Sequence, residues 1–215
     1  MNMNRINADL ISQLAADLDP VRALKTRDGL LMTSTAALAS VLLVALADGL
    51  WSGPVTGQAS AFFFLANGLL VVFGMACAVS VVRMANPSVG NRYSPAYWTL
   101  AMLMVLPVVA LATLVSQGAA NAVFADVHGV NCALHGTAAA SLTAVALALW
   151  LRRGAPVDPA RAGLLTGLAS GALGSAAYGL SCSIDTFAHV AIWHVLPIGI
   201  AGVIGRIALP RLLRW

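Results

Sequence analysis

The chain has 215 residues, of which 60% are hydrophobic and only 9% are charged. An ordinary soluble domain is about 25% charged, so this composition excludes a water-soluble globular protein. The formal net charge of +4 does not require a nucleic acid partner, because basic residues collect beside the anionic headgroups of the cytoplasmic leaflet. The first expected partner is therefore the lipid bilayer.

Six stretches of the chain are long and apolar enough to cross a bilayer, which takes about 20 helical residues. Leu, Val, Ala and Phe surround each stretch on every side, as expected of helices that face lipid. The sequence therefore predicts an all-α membrane protein with a cytoplasmic segment over residues 1–28 and a six-helix transmembrane domain over residues 29–215. The predicted spans are residues 29–47, 59–82, 96–116, 133–151, 162–180 and 190–209.

The 12 Lys and Arg residues all fall on one side of this six-span arrangement. They precede the first span, lie in the connections after the second and fourth spans, and follow the middle of the sixth. The three connections on the other side contain none. Basic residues in short loops remain on the cytoplasmic side. We therefore expect both termini in the cytoplasm.

Residues 7–18 have the pattern of a short amphipathic helix that Asn7 would cap and that ends before Pro20. Its polar face is acidic, whereas a helix that lies on a membrane normally has a basic polar face. The apolar stripe therefore favours a groove in a cytoplasmic protein, the alternative being packing against the cytoplasmic ends of the bundle. The residues predicted to contact a partner are Leu10, Ile11, Leu14, Asp17, Leu18, Asp19 and Pro20.

Small residues recur at intervals of four along the fifth predicted span, which allows close approach of a neighbouring helix. These residues are Gly163, Gly167, Gly171, Ser175 and Gly179. A second small-residue stripe in the fourth span would suit it as a partner; it consists of Gly136, Ala140, Ala144 and Ala148. This pattern predicts helix packing, not chemistry.

Pro107 and Pro197 lie inside the third and sixth predicted spans. A proline lacks the backbone donor of a regular helix and typically bends it, so we expect a kink at each; a hinge that transmits movement is the second interpretation. No charged residue lies near the centre of any span, which disfavours a pump or ion-coupled transporter.

Chemically capable residues gather on the side that has no Lys or Arg, and all four histidines of the chain are among them. Two sets at helical spacing could meet there, His128, Cys132 and His135 and then Cys182, Asp185 and His189. Asp126 and His194 lie beside these sets in the sequence.

Three explanations of these residues stay open. Cys132 and Cys182 could form a disulfide in an oxidising compartment. The thiols, imidazoles and carboxylate could hold zinc or copper. The thiols could also simply pack among the polar residues that collect at helix ends. A cysteine flanked by histidines can in addition be a more reactive thiolate, whose oxidation would change local charge and packing.

The chain resembles the NrsF family of membrane anti-sigma factors over nearly its whole length. The resembling segments are LISQLAADLDPVRAL (10–24), HGVNCALHG (128–136), GLSCSIDTFAHVAIWHVLPI (179–198) and the closing Gly205 and Arg206. The resemblance implies that the cytoplasmic head sequesters an extracytoplasmic-function sigma factor. It also implies that Cys132 and Cys182 take part in sensing metals or oxidants.

The alternative is an enzyme, a membrane thiol oxidoreductase that passes electrons from the outer cysteines to a quinone or a haem. Such enzymes usually contain an exchanging CxxC pair, which this sequence lacks, and the cytoplasmic head would have no role in one. We therefore predict a regulator that is not an enzyme. Whether it forms a homodimer is left open by the sequence.

Overall fold

The computed structural model describes residues 3–16, 24–86, 96–116 and 126–213. Within those ranges every regular element is a helix and no strand occurs. The all-α prediction is confirmed for this part of the chain. The helices are α1 Met3–Ala16, α2 Thr26–Ala47, α3 Gly53–Thr56, α4 Ala61–Met84, α5 Ala96–Ser116, α6 Val127–Ala139, α7 Ser141–Arg152, α8 Pro159–Gly179, α9 Phe187–Trp193 and α10 Leu196–Leu212.

Four helical segments are long and apolar enough to cross a membrane. They correspond to the first, second, fourth and sixth predicted spans, and they are Thr26–Ala47, Ala61–Met84, Val127–Arg152 and Phe187–Leu212. Helix α5 contains a shorter apolar stretch, Leu100–Ala112. Helix α8 has 21 residues but is rich in Gly and Ala. Four spans are thus supported by length and composition, and the full count of six stays a prediction.

Helix α8 lies at the centre of the bundle, where it packs against α2, α4, α6, α7 and α10. Most of its residues are buried, including Leu165, Thr166 and Ser170. Because α8 contacts other helices on several sides, its side chains need to be small more than they need to be lipophilic. This accounts for its lower hydropathy.

Three residues of the small-residue face of α8, Gly163, Gly167 and Gly171, pack against α10, whereas Ser175 on the same face contacts Gly136 of the fourth span, as the sequence had indicated. A methyl group added at Gly167 would overlap the carbonyl of Ala201, and one added at Gly163 would overlap that of Gly205. The predicted pairing is wrong at these positions because α10 supplies a matching row of small residues. The fourth span instead approaches α8 near Gly174, where an added methyl would overlap the backbone of Ala140.

One end of the bundle joins the start of α2 to the ends of α4 and α7. The indole Nε1 of Trp150 donates to the carbonyl of Val82 at 3.1 Å, and Gly29 packs against the same indole. The basic residues of the described part of the chain from residue 24 onward lie toward this end. They are Lys25, Arg27, Arg83, Arg152, Arg153, Arg161, Arg206 and Arg211.

The two prolines have different structural effects. Pro107 lies inside α5. Pro197 lies in the first turn of α10, after a two-residue turn at His194 and Val195, both of which keep right-handed helical backbone angles. Pro197 cannot donate to the carbonyl of residue 193, so the sixth predicted span is divided at this point. Movement about the break stays a prediction.

Helix α1 begins at Met3, so Asn7 lies inside it and the predicted cap at Asn7 is wrong. All described side chains of α1, residues 10–16, are exposed, and the apolar residues Leu10, Ile11 and Leu14 are 53%, 66% and 61% exposed. We call these three residues the head stripe. Four predicted contact residues, Asp17, Leu18, Asp19 and Pro20, lie outside the described residues.

Candidate functional site

Two cysteines and two histidines meet at the end of the bundle opposite the basic residues. One ligand atom from each of Cys132, Cys182, His189 and His194 lies within 4.8 Å of the other three, and all four residues are buried. We call these four residues the thiol–imidazole group. The prediction that two half-sites could meet is therefore confirmed in geometry for these residues.

Cys132 reaches the group from α6, whose start is fixed by Asp126. The Oδ1 atom of Asp126 accepts hydrogen bonds from the backbone N–H groups of His128 and Gly129, each at 3.1 Å. This is an N-cap, which satisfies backbone donors that have no partner within the helix. The buried face of α6 then contains Gly129, Cys132 and Gly136.

Cys182 lies in the connection between α8 and α9, which is tied down along its length. The N–H of Trp51 donates to the carbonyl of Leu180 at 2.9 Å, and the Ser181 hydroxyl donates to the carbonyl of Gly49. The Cys182 N–H donates to the carbonyl of Tyr178 at 3.2 Å. The position of this thiol is thus fixed by the backbone.

His189 and His194 complete the group from α9 and from the break that follows it. The Nε2 atom of His189 lies 3.5 Å from the Cys182 sulfur, and its Nδ1 lies 2.7 Å from Oδ2 of Asp126. The carbonyl of His194 accepts a hydrogen bond from the Ser175 hydroxyl. Its Nε2 is buried and has no hydrogen-bond partner among the described residues.

The donor set suits a tetrahedral metal ion, and the separation of its two sulfur atoms matches one. Zinc–sulfur and zinc–nitrogen bonds of about 2.3 and 2.0 Å imply ligand separations of about 3.3 to 3.8 Å. The two sulfur atoms are 3.7 Å apart, already within that range. The buried, unpartnered Nε2 of His194 is a further donor that a cation would satisfy. Two thiolates and two imidazoles suit zinc or copper.

Both thiols are free in this structure, although they are adjacent. The separation of 3.7 Å between the sulfur atoms is longer than a disulfide bond of about 2.05 Å. Their proximity keeps the disulfide explanation open beside the metal explanation. The third explanation, that the thiols merely pack, does not account for two imidazoles directed at the same point.

Two groups of the site that lie outside the candidate membrane spans have lowered pKa values. Hydrogen bonding with the neighbouring Cys132 thiol outweighs burial and lowers the pKa of the Cys182 thiol well below its usual range. Burial acts to raise the pKa of Asp126. The hydrogen bond and charge of His189, with the N–H groups of the cap, outweigh burial, and the pKa is lowered. Both shifts favour the anionic form.

Three predicted metal ligands lie apart from the group. His128 is exposed at the edge of the buried face of α6. His135 is also exposed, and its ring stacks on Tyr178 with the centroids 5.1 Å apart. Asp185 accepts hydrogen bonds from the N–H and hydroxyl of Ser60, at 2.6 and 3.0 Å. The helical spacing assumed for Cys182 and Asp185 fails because residues 182–186 are not helical.

Asp126 was noted from the sequence as part of the outer cluster, but its contact with His189 was not expected. Its position directly before a helix was a signal for an N-cap. Nothing in the local spacing indicates that the second carboxylate oxygen contacts a histidine 63 residues later. Only the packing of α9 against α6 brings them together.

The architecture is that of a helical membrane protein with a buried thiol–imidazole group at one end and an exposed apolar stripe on a separate helix. Residues 14–215 match the family described as NrsF: Negative regulator of sigma F. The anti-sigma-F factor NrsF of Caulobacter vibrioides is 31% identical over 221 residues, covering 96% of this chain and 98% of that protein. The chain belongs to the NrsF family, as the resemblance predicted.

The role of this family is regulatory and not enzymatic. The family assignment confirms the prediction that the chain is a regulator and not an enzyme, and it removes the support for an oxidoreductase. No solved structure gave a significant match to the chain.

Proposed function

We propose that this protein is a membrane-bound anti-sigma factor that sequesters an extracytoplasmic-function sigma factor through its N-terminal segment. The observation that carries the proposal is the family match over residues 14–215. It is supported by the exposure of the head stripe, whose three side chains are each more than half exposed. An apolar stripe on a short helix is the usual ligand of a groove in a partner protein.

The topology belongs to the same proposal: six spans, with both termini and the head in the cytoplasm of a bacterial inner membrane. The gathering of the described basic residues toward one end of the bundle supports it, since such residues mark the cytoplasmic side. The thiol–imidazole group then faces the periplasm, where stress reaches it first.

We assign sensing to the thiol–imidazole group, with Cys132 and Cys182 as its essential members. A bound zinc or copper ion would draw the sulfur and nitrogen ligands together and displace the thiol protons. An oxidant would instead join the sulfur atoms as a disulfide, and the two thiols would give up two protons and two electrons to it. Either event changes the packing between α6, α8 and α9.

Signal transmission then requires that the occupied or oxidised site favours one arrangement of the helices that already exists. Releasing the sigma factor 100-fold more readily needs about 2.7 kcal/mol of difference between the two arrangements. One metal ion or one disulfide can supply a difference of this size. The break before Pro197 lies next to His194, so movement there would be sensitive to the site.

Co-purification with the tagged full-length protein tests the sequestration proposal. The protein would be solubilised from membranes of its own bacterium, and the bound proteins would be identified by mass spectrometry. We expect wild type to retain a sigma factor and a triple variant with Ala at Leu10, Ile11 and Leu14 to lose it.

The matched control is Ser12→Ala, which changes an exposed residue on the opposite side of α1 from the head stripe. It should retain the sigma factor as wild type does. Retention by the triple variant, or equal loss in the control, would contradict the proposal that the head stripe forms the binding surface.

A further inference from the structure

One carboxylate links the two halves of the thiol–imidazole group. Asp126 uses Oδ1 to cap α6, accepting from the N–H groups of His128 and Gly129. It uses Oδ2 to contact Nδ1 of His189 in α9 at 2.7 Å. The helix that presents Cys132 and the helix that presents His189 are therefore held by the same side chain.

This contact determines which nitrogen of His189 is available. A carboxylate can only accept a hydrogen bond, so Nδ1 of His189 carries a proton when it is bonded to Asp126. In the neutral ring the lone pair is then on Nε2. That atom lies 3.5 Å from the Cys182 sulfur, inside the group.

We propose that Asp126 is a positioning residue of the thiol–imidazole group: it fixes the tautomer and orientation of His189 so that the bare Nε2 faces a cation held by the two thiolates. The inference rests on the proposed metal-sensing function. Histidine ligands commonly donate their other N–H to a carboxylate, which fixes the ring and raises its basicity. Asp126 is placed to play this part while making no bond to the cation itself.

The same carboxylate joins metal binding to helix packing. Because Oδ1 and Oδ2 belong to one rigid group, a movement of the His189 ring toward a cation pulls on the start of α6. Trp193, on α9, packs directly over Gly129 of α6, where an added methyl would overlap the indole ring. Because no further atom fits between Gly129 and Trp193, we expect α6 and α9 to move together.

The variant Asp126→Asn separates the positioning of His189 from the capping of α6. Asn caps helices as well as Asp does, so Asp126→Asn keeps the start of α6. Its amide group would present N–H donors to Nδ1 of His189, and the ring proton would then move to Nε2, toward Cys182. Asp126→Ser is a second variant: its hydroxyl also caps but is too short to reach His189.

The test uses the full-length reduced protein in detergent, with ¹⁵N-labelled histidine, and measures the protonated ring nitrogen by NMR. The His189 signals are assigned by their loss in His189→Gln. We expect the proton on Nδ1 in wild type at pH 8, and on Nε2 in Asp126→Asn. A proton on Nε2 in wild type, or the same proton position in both proteins, would overturn the proposal.

Cobalt(II) titration provides the second readout. Losing a carboxylate partner of a ligand histidine typically costs about 10- to 100-fold in metal affinity, and we expect a loss in that range for Asp126→Asn and Asp126→Ser. Asp185→Asn is the matched control, because Asp185 is bonded to Ser60 outside the group. Unchanged cobalt affinity in both Asp126 variants would mean that Asp126 acts only as a helix cap.

The metal-sensing function and the positioning role of Asp126 would be contradicted by different results. If wild type binds no cobalt or zinc, the metal-sensing function is wrong, while the NMR measurement still decides the role of Asp126. If wild type binds cobalt and the ring proton is unaffected by Asp126→Asn, the sensing site stands and the positioning role is lost.

Discussion

The thiol–imidazole group and the head stripe differ in how far they are hydrogen-bonded and buried within the chain itself. At the group, Asp126 bonds His189, Ser175 bonds His194, and the connection that contains Cys182 is bonded to the connection between α2 and α3. The four members are buried. At the head stripe, Leu10, Ile11 and Leu14 remain more than half exposed to solvent.

This difference indicates a division of roles. A site whose geometry is complete within one chain can respond to a small ligand or oxidant without a protein partner. An apolar stripe that remains exposed lacks burial, and burial on a partner would stabilise it. Each of the following predictions therefore concerns a change in one of the two regions, or in the packing between them. Where the two regions are independent, the property of the other region should stay unchanged.

The largest effect is expected from removing both sulfur atoms of the group. Cys132→Ser with Cys182→Ser replaces two thiolate ligands by hydroxyls, which are poor zinc or copper ligands. We expect more than about 100-fold loss of metal affinity, beyond the cost typical of a lost outer-shell partner. Induction of the sigma-dependent genes by metal should be abolished, while binding of the sigma factor by the head stripe should be retained.

Cys77→Ser is the matched control for that experiment. Cys77 is completely buried in the apolar core of α4, and it is not a member of the group. A normal response in the double variant, measured with a reporter gene, would remove the sensing role from the group. The same loss in Cys77→Ser would point to general destabilisation instead.

The second prediction concerns the packing of α8 against α10, which lies between the group and the basic end of the bundle. Gly167→Ala would place a methyl group onto the carbonyl of Ala201. Overpacking typically costs about 1 to 3 kcal/mol, and this contact with rigid backbone should lie in the upper part of that range. Thermal unfolding in detergent measures the loss.

Gly199→Ala is the control for the packing prediction, since a methyl group there would meet nothing within 4 Å. It should unfold at the wild-type temperature or slightly above it. Equal stability of the two variants would mean that the close approach of α8 and α10 is not required for the fold.

The sequence predicted that α8 makes a close contact with another helix, but it did not predict which helix. The interval of four between Gly163, Gly167 and Gly171 predicted a close helix contact, and such a contact is present. Two stripes of small residues were available for it, in the fourth and sixth spans, and local spacing cannot choose between them. The choice of α10 depends on the three-dimensional arrangement of the whole bundle.

The third prediction separates burial from charge in the head. A fully buried Leu contributes about 1.5 to 3 kcal/mol, whereas an exposed ion pair contributes about 0 to 1 kcal/mol. Leu14→Ala should therefore weaken binding of the sigma factor more than Asp17→Asn does. Measured affinities that are equal for the two variants would contradict docking through the head stripe. Neither variant should change metal affinity at the group.

The candidate site could be predicted from the sequence only in part. The sequence already predicted that the cysteines Cys132 and Cys182 and the histidines lie together, on the side of the membrane that has no Lys or Arg. Helical spacing then failed for Asp185, because the chain from 182 to 186 is not helical. It also failed to exclude His128 and His135, since the burial of one face of α6 depends on which neighbours cover it. The link from Asp126 to His189 requires the tertiary fold.

The smallest effect is expected from acid, acting through Asp126. Its pKa in the folded protein is lowered, because the contacts with His189 and the cap outweigh burial. A lowered folded pKa adds stability that is fully present above the unfolded value of about 3.9 and is lost as the pH falls through the folded value. The difference in unfolding temperature between wild type and Asp126→Asn should therefore be present at pH 5 and narrow below about pH 4. A difference that stays unchanged as the pH falls below 4 would mean that another group governs this contact. Since the Asp126 side chain is 25% exposed, solvent should keep the whole effect small, and the head stripe should bind its partner equally well across the range from pH 7 to 5.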